Sequence, residues 1–264
     1  RIRMTKLKKT LSALFAVLAL ICLFGCQQSQ AEKETPKELS QEEIIDKGLQ
    51  AFEHLKDSEI KIEVSSKREY KEGVDVKDKH FNRDVTFEGT FELKPLRVRG
   101  VLTGYKFPEE RYYSTGIEYV KNSKGEWENR ATTHRINEKP VGVKPEAIRY
   151  FQTQKDKFKV SDQDDNYVLT FETTDVKNIL EPNQNMLLGA VNFVAFRYSK
   201  NGQGSYQVNL LVSKDNFTPM AVTYVCKFDN ERATENLTSK VTFSKQNSGL
   251  RVEVPDEFVE SGEQ

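Results

Sequence analysis

Val85-Thr86-Phe87-Glu88-Gly89-Thr90-Phe91-Glu92-Leu93 alternates without a break, apolar or small at odd positions and polar at even ones. Successive side chains of a strand point to opposite faces, so this stretch is a strand with one apolar and one wet face. Pro95 then marks a turn, and Leu96, Val98, Gly100 and Leu102 resume the pattern against Arg97 and Arg99. Clean alternation of this kind belongs to antiparallel sheets. Upstream, Ile60, Ile62 and Val64 alternate with Lys61, Glu63 and Ser65. Downstream, Ile117 to Lys121 and the strand around Trp127 flank Asn122-Ser123-Lys124-Gly125, a hairpin signal.

The middle of the chain reads differently. Pro145 to Gln154 has the look of a short helix, and Tyr167 to Phe171 of a strand. Asp175 to Leu180 looks helical, and Pro182 interrupts it. Met186 to Phe196 is apolar almost all round, which is the mark of a buried helix or of one covering something greasy. Strands return at 204–213, 218–229 and 238–246, with a turn at Lys214-Asp215-Asn216, and the chain closes through Leu250 to Pro255. Before the first strand, Ser40-Gln41-Glu42-Glu43 fits a capping box. Ile44, Ile45, Leu49, Phe52 and Leu55 follow at helical spacing, so one amphipathic helix is expected over 40–56. The sum is one α+β domain over 40–260: opening helix, meander sheet, helical insert, second meander.

The front end is of another kind. Residues 1–10 are basic, Leu11 to Phe24 is an apolar run broken only by Ser12, and Gln27 to Gln30 is fully polar. As a helix the run spans roughly 22 Å, short of the roughly 30 Å hydrocarbon core. It reads as a signal peptide over 1–25, with Met4-Thr5-Lys6 opening its basic region. Gln27 to Leu39 is polar, contains Pro36, and reads as the remainder of a flexible tether over 26–39. Removing the five basic residues of the first 25 turns a formal charge of +0 into about −5. That balance argues against a nucleic-acid binder.

Leu23-Phe24-Gly25-Cys26 resembles the lipobox of bacterial lipoproteins. The resemblance implies diacylglycerol on the Cys26 sulfur and cleavage before Cys26. The protein would then be lipid-anchored on the extracytoplasmic face of the cell membrane, with membrane lipid as its partner through acylated Cys26. Of the three cysteines, Cys22 falls in the peptide and Cys26 takes the lipid, so Cys226 is left with no disulfide framework. It shares a strand face with Met220, Val222, Tyr224 and Phe228, and reads as a buried inert thiol.

With that front end, the order of elements and the stretches Ile117 to Trp127, Leu210 to Pro219 and Val252 to Glu257, the chain resembles the LolA/LprG-like lipoprotein superfamily. It looks most like the Gram-positive branch of uncharacterised cell-surface lipoproteins, and the Lys-rich, Cys-poor composition points the same way; a Gram-negative outer membrane is the alternative. The resemblance implies a curved antiparallel half-barrel with helices covering its concave face, and acyl chains held in the hollow between. Candidate lining residues are Phe87, Phe91, Trp127, Val222 and Tyr224 from strands, and Leu187, Val191 and Val194 from the insert. Pro182 and Gly189 are candidate hinges.

No chemistry competes with this reading. His54, His80 and His134 are scattered, with no metal-binding spacing. No cofactor or nucleophile motif occurs. Asp162-Gln163-Asp164-Asp165-Asn166 starts like a calcium loop, but Tyr167 stands where glycine is required and Thr173 where glutamate is. A polar hairpin turn is the better reading. Arg97-Val98-Arg99 and Lys155 to Lys159 look like wet sides of a strand and of a helix-to-strand segment, or a contact for anionic head groups. The expectation is a non-enzymatic, membrane-anchored protein that binds a lipid or other hydrophobic ligand. The alternative is an interaction or envelope-stress lipoprotein with a filled core and a protein partner the sequence does not name.

Overall fold

The structure is a computed structural model that describes residues 38–104, 106–114, 117–130, 145–174 and 203–259. The signal peptide, the lipobox Leu23-Phe24-Gly25, Cys26, Leu187, Val191, Val194, Pro182, Gly189 and His134 lie outside the described residues, as do the two helical readings between 175 and 196.

Helix α1 (Gln41–Glu53) opens the fold behind the capping box that the sequence announces. Ser40 Oγ accepts from the Glu43 amide at 3.2 Å, and Glu43 Oε2 accepts from the Ser40 amide at 2.8 Å. These bonds satisfy two amide donors that a helix start leaves open. The helix ends three residues before the expected limit, at a C-cap on His54.

Strand β1 (Asp57–Tyr70) follows, then β2 (His80–Leu93), β3 (Leu96–Thr103), β4 (Glu109–Ser114), β5 (Ile117–Lys121) and β6 (Trp127–Arg130). Helix α2 (Pro145–Gln152) and a 3₁₀ turn at Lys155–Lys157 lead into β7 (Lys159–Gln163), β8 (Asn166–Thr173), β9 (Gln203–Ser213), β10 (Pro219–Asp229) and β11 (Ala233–Ser244). A helical turn, α3 (Asp256–Val259), ends the described chain.

All eleven strands form one antiparallel sheet in the order β6-β5-β4-β3-β2-β1-β11-β10-β9-β8-β7. The first meander walks outward from β1, and the second walks inward from β7. The two join where β1 pairs with β11, from Glu59↔Ser244 to Tyr70↔Ala233. The sheet is curved and unclosed: an α+β half-barrel, the class expected from the sequence.

Part of that curvature has a local cause. Gly89 and Gly100 face each other across β2 and β3. A Cβ on Gly100 would lie 2.5 Å from the Phe87 ring and 2.3 Å from the Glu88 carbonyl oxygen. One on Gly89 would lie 2.9 Å from the same ring and 2.3 Å from the Arg99 carbonyl oxygen. The missing side chains let the two backbones close up and let the Phe87 ring lie down over them. Glycine inside a strand serves such bends.

The strands differ from the sequence reading in several places, and β2 begins at His80 rather than Val85. β11 starts at Ala233 rather than 238, because polar Thr234, Asn236 and Glu235 hide its alternation. β1 runs on past Val64 to Tyr70 for the same reason. β4 was not expected at all: Arg111 to Ser114 are buried on both faces, so no period of two is visible.

Candidate hydrophobic-ligand site

Cross-strand register builds the concave face. Leu102 faces Phe87, Phe87 faces Ile62, and Ile62 faces Val241. The row continues through Val222, Leu210 and Leu169. It is apolar across β3 to β8, and every member is buried. A parallel row runs Val85, Val64, Ser239, Tyr224, Val208 and Phe171, apolar but for one serine. The outer sides of the same strands carry Lys61, Glu63, Glu88, Thr223 and Asn209.

Four of the expected lining residues, Phe87, Phe91, Val222 and Tyr224, stand on this face, each at 0% exposure. Burial raises the Tyr224 phenol well above its usual range. Phe91 meets Phe243 edge to face at 6.5 Å, and Phe243 meets Phe52 of α1 at 6.0 Å. Trp127 is a correction. Lys121 pairs with Trp127, while Tyr112 pairs with Tyr119 and Tyr113 with Glu118. Since Tyr113 pairs with Val98, and Val98 with Phe91, parity puts Trp127 on the outer face.

The helices cover one wing of the concave face. Helix α1 packs on β7, β8, β10 and α2. It sits close, since a Cβ on Gly48 would lie 2.7 Å from Leu169 Cδ2. Ile148 and Phe151 of α2 are fully buried. The Phe151 ring lies 5.3 Å from Phe171 and 5.7 Å from Phe158, both edge to face.

At the opposite end of β1 and β11 the same face turns polar. Arg68 faces Glu235, and Ser66 faces Arg83. Arg68 Nη2 donates to Glu235 Oε2 at 3.0 Å and its Nε to the same oxygen at 3.1 Å. Ser66 Oγ donates to Glu235 Oε1 at 3.1 Å, and Arg68 Nη1 donates to the Tyr70 hydroxyl at 3.0 Å. Burial pushes the Glu235 carboxyl above its usual range, and Arg68 and Ser66 pull it back only in part. The Arg83 guanidinium lies 4.8 Å from the Phe81 ring centre, and that of Arg68 5.9 Å from the same ring. The sequence offered no sign of this cluster, because its members are brought together only by pairing β1 with β11.

The outer face of the β2–β6 wing is covered by the chain's end. Phe258 of α3 sits against Tyr119 at 4.2 Å, Tyr112 at 5.5 Å and Trp127 at 6.1 Å. Glu92, 3% exposed, accepts from Arg251 Nη1 at 2.9 Å and from the Val252 amide at 3.3 Å. Arg99 Nη2 donates to Glu110 Oε1 at 2.8 Å, and its Nη1 lies 3.3 Å from Glu253. Arg97 and Arg99, expected on a wet side, instead face this segment. They look wet in sequence because their cover lies over 150 residues away.

Among the described residues no group of His, Cys, Asp and Glu is placed to hold a metal ion. Burial pushes the Cys226 thiol far up, which suits an unreactive sulfur. Asp162 to Asn166 form the tight turn of the β7–β8 hairpin, with Asp164 at φ +50°. No helix of the described residues is long and apolar enough to cross a membrane.

No curated protein matches the chain. Among solved structures it is similar to LprF from Mycobacterium bovis, with 10% identity, 82% of this chain and 96% of that one covered, and a TM-score of 0.48. It is also similar to the lipoprotein LppX of Mycobacterium tuberculosis, with 13% identity, 81% and 98% covered, and a TM-score of 0.40. A DUF1329 family protein from Desulfovibrio piger follows, with 10% identity, 79% and 93% covered, and a TM-score of 0.25. The model of a family of unknown function, DUF6612, matches residues 40–263, and the chain belongs to that family.

Proposed function

We propose that this protein is a non-enzymatic lipoprotein, anchored through acylated Cys26 on the extracytoplasmic face of the membrane, that holds a lipid or other hydrophobic ligand on its concave face. The observation that supports the reading is the unbroken apolar row from Leu102 through Phe87 and Val222 to Leu169. An acyl chain leaving water along it gains about 0.8 kcal/mol per CH₂. Two or three chains on Cys26 would hold the anchor firmly, where one chain binds only marginally.

The test uses the mature chain from residue 26 with Cys26→Ser, purified without detergent. Organic extraction followed by mass spectrometry is expected to release lipid in near-stoichiometric amount. A protein that yields no lipid, and takes up no added fluorescent fatty acid, overturns the reading. For the anchor, labelled palmitate is expected in the wild-type chain and not in the Cys26→Ser chain.

One observation favours a second reading. Phe87, Phe91, Val222 and Tyr224 are all closed to solvent. That closure suits a filled core, and such a protein would act through its outer surface as an interaction or envelope-stress lipoprotein. In the ligand-binding reading the same closure means that a guest enters by displacing packed side chains.

A further inference from the structure

The last segment of the chain is held to the convex wing as a replaceable cover would be. As far as Leu250 the chain is pinned, because the amides of Ser248 and Leu250 both donate to Asp57 Oδ1, at 3.0 and 3.1 Å. Beyond Leu250, among the described residues, no backbone-to-backbone hydrogen bond joins 251–259 to the sheet. Side chains tie the segment down instead. The Val252 amide and Arg251 Nη1 donate to the Glu92 carboxylate, and Arg99 Nη1 donates to the Glu253 carbonyl at 3.3 Å. The Arg251 and Glu253 side chains are 76% and 85% exposed, and ion pairs open to water hold weakly. Val252 and Pro255 are buried and Phe258 is half-buried, one anchor at every third position. The cover also leaves polar groups beneath it unmatched. Among the described residues the fully buried Tyr112 hydroxyl has no hydrogen-bond partner. The same holds for the buried Nε of Arg97, whose guanidinium lies 3.6 Å from Glu92. A buried donor without an acceptor is a standing cost, and the chain's own end supplies an acceptor to neither.

We propose that the convex face of β2–β6 is a docking surface for an extended segment of another protein, and that residues 251–259 are its resident occupant. The partner segment repeats the order seen here. It carries a basic residue for Glu92, then an apolar residue, then an acidic residue for Arg99, with proline and an aromatic three and six places after the apolar one. An aromatic-lined strip that takes an extended, proline-bearing segment is a recurring mode of peptide recognition. The chain's own end has the advantage of belonging to the same molecule. A partner that brings an acceptor to Tyr112 or Arg97 gains a bond the resident end lacks, and so can displace it. Since Asp57 holds the chain at Leu250, release of 251–259 leaves the end of β11 in place. This surface is independent of the concave face and of any ligand held there.

The probe is a fluorescein-labelled peptide with the sequence of residues 250–259, read by anisotropy against the mature chain from residue 26 with Cys26→Ser. That chain is expected to bind it weakly, because its own end competes. Phe258→Ala in the protein loosens the resident end and is expected to tighten peptide binding at least tenfold. Arg251→Ala, at an exposed side chain, is expected to move binding the same way by a smaller factor. Adding Arg99→Gln to Phe258→Ala, or replacing the phenylalanine of the peptide by alanine, is expected to abolish the gain. Urea unfolding of each variant checks that the fold is intact. If neither Phe258→Ala nor Arg251→Ala binds the peptide more tightly, the end is a fixed part of the fold and the proposal is overturned. Equal binding of a scrambled peptide overturns it as well. Concentration-dependent self-association of the chain in sedimentation, reversed by the peptide, would make the occupant the end of a second copy and overturn the assignment to another protein.

Discussion

The two wings of the sheet are covered in opposite ways. On the β7–β10 wing the helices lie on the concave side, and the contact is almost wholly apolar: Leu49, Phe52, Ile148, Phe151 and Leu169 are each 3% exposed or less. Its convex side carries half-buried, mixed residues such as Thr170, Asn209, Leu211 and Thr223. On the β2–β6 wing the chain's last segment lies on the convex side instead. There the contact is a set of particular polar pairs, Glu92 with Arg251 and Arg99 with Glu110 and Glu253, closed by one aromatic, Phe258. The first arrangement depends on volume and the second on partners. They should therefore fail for different reasons.

The largest effect is expected on the helical wing. Phe171 is 1% exposed and touches Tyr150, Phe151 and Phe158. Phe171→Ala should cost about 3–5 kcal/mol, read as a lower urea midpoint with an unchanged slope. On the other wing, Gly100→Ala should cost about 1–3 kcal/mol, by overpacking rather than by a cavity. If the contact with the Phe87 ring is the cause, Phe87→Leu should relieve part of that cost in the double variant. If the backbone contact with Glu88 is the cause, the two losses will simply add.

Smaller effects separate the wings more sharply. Phe258→Ala should cost about 1–2 kcal/mol, on the scale of lost aromatic pairs plus some apolar area. Hydrogen exchange is the better probe: amides of β4 to β6 should lose protection while those of β8 to β10 keep theirs. Loss spread evenly over both wings would mean that the chain's end supports the whole sheet. Tyr112 beneath it is fully buried, and its hydroxyl has no hydrogen-bond partner among the described residues. Tyr112→Phe is therefore expected to raise stability, by up to about 1 kcal/mol.

The same contrast explains what could be read in the sequence. The helical wing and the central strands follow local rules. A capping box starts α1, and alternation marks β2, β3, β9 and β10. Asn122 closes the β5–β6 turn by accepting from Lys124 and Glu126 amides. Where both faces of a strand are covered, as at Arg111 to Ser114, alternation vanishes and the strand is missed. The aromatic chemistry of Trp127 suggests a place in the hollow, whereas its face is decided by hairpin register. The Arg68–Glu235 pair joins residues 167 apart in the chain. Nothing local announces such a pair, and only the closing of β11 on β1 creates it.

Acid unfolding tests the comparison at its smallest scale, because the two polar clusters respond to protons with opposite signs. Glu110 on the convex side is held below its ordinary value of 4.5: burial raises it, but hydrogen bonds from Arg99 and Lys121 outweigh that. Its contribution is present above about pH 4.5 and is lost as pH falls through the lowered folded value. Glu235 on the concave side is held above 4.5 by burial. The folded chain takes up that proton before the unfolded chain does, so this group adds stability as pH falls toward 4.5. Replacing each by its neutral isostere removes one contribution at a time. Glu110→Gln should make the loss of stability between pH 6 and pH 3 shallower, and Glu235→Gln should make it steeper. Partly exposed pairs such as Glu110 with Arg99 are worth about 0–1 kcal/mol, so the comparison is best made by urea titration at each pH rather than from a single melting curve. If both variants moved the acid limb in the same direction, the concave carboxylate would be as well solvated as the convex one. The distinction between a polar pair buried on the concave face and one at the convex surface would then disappear.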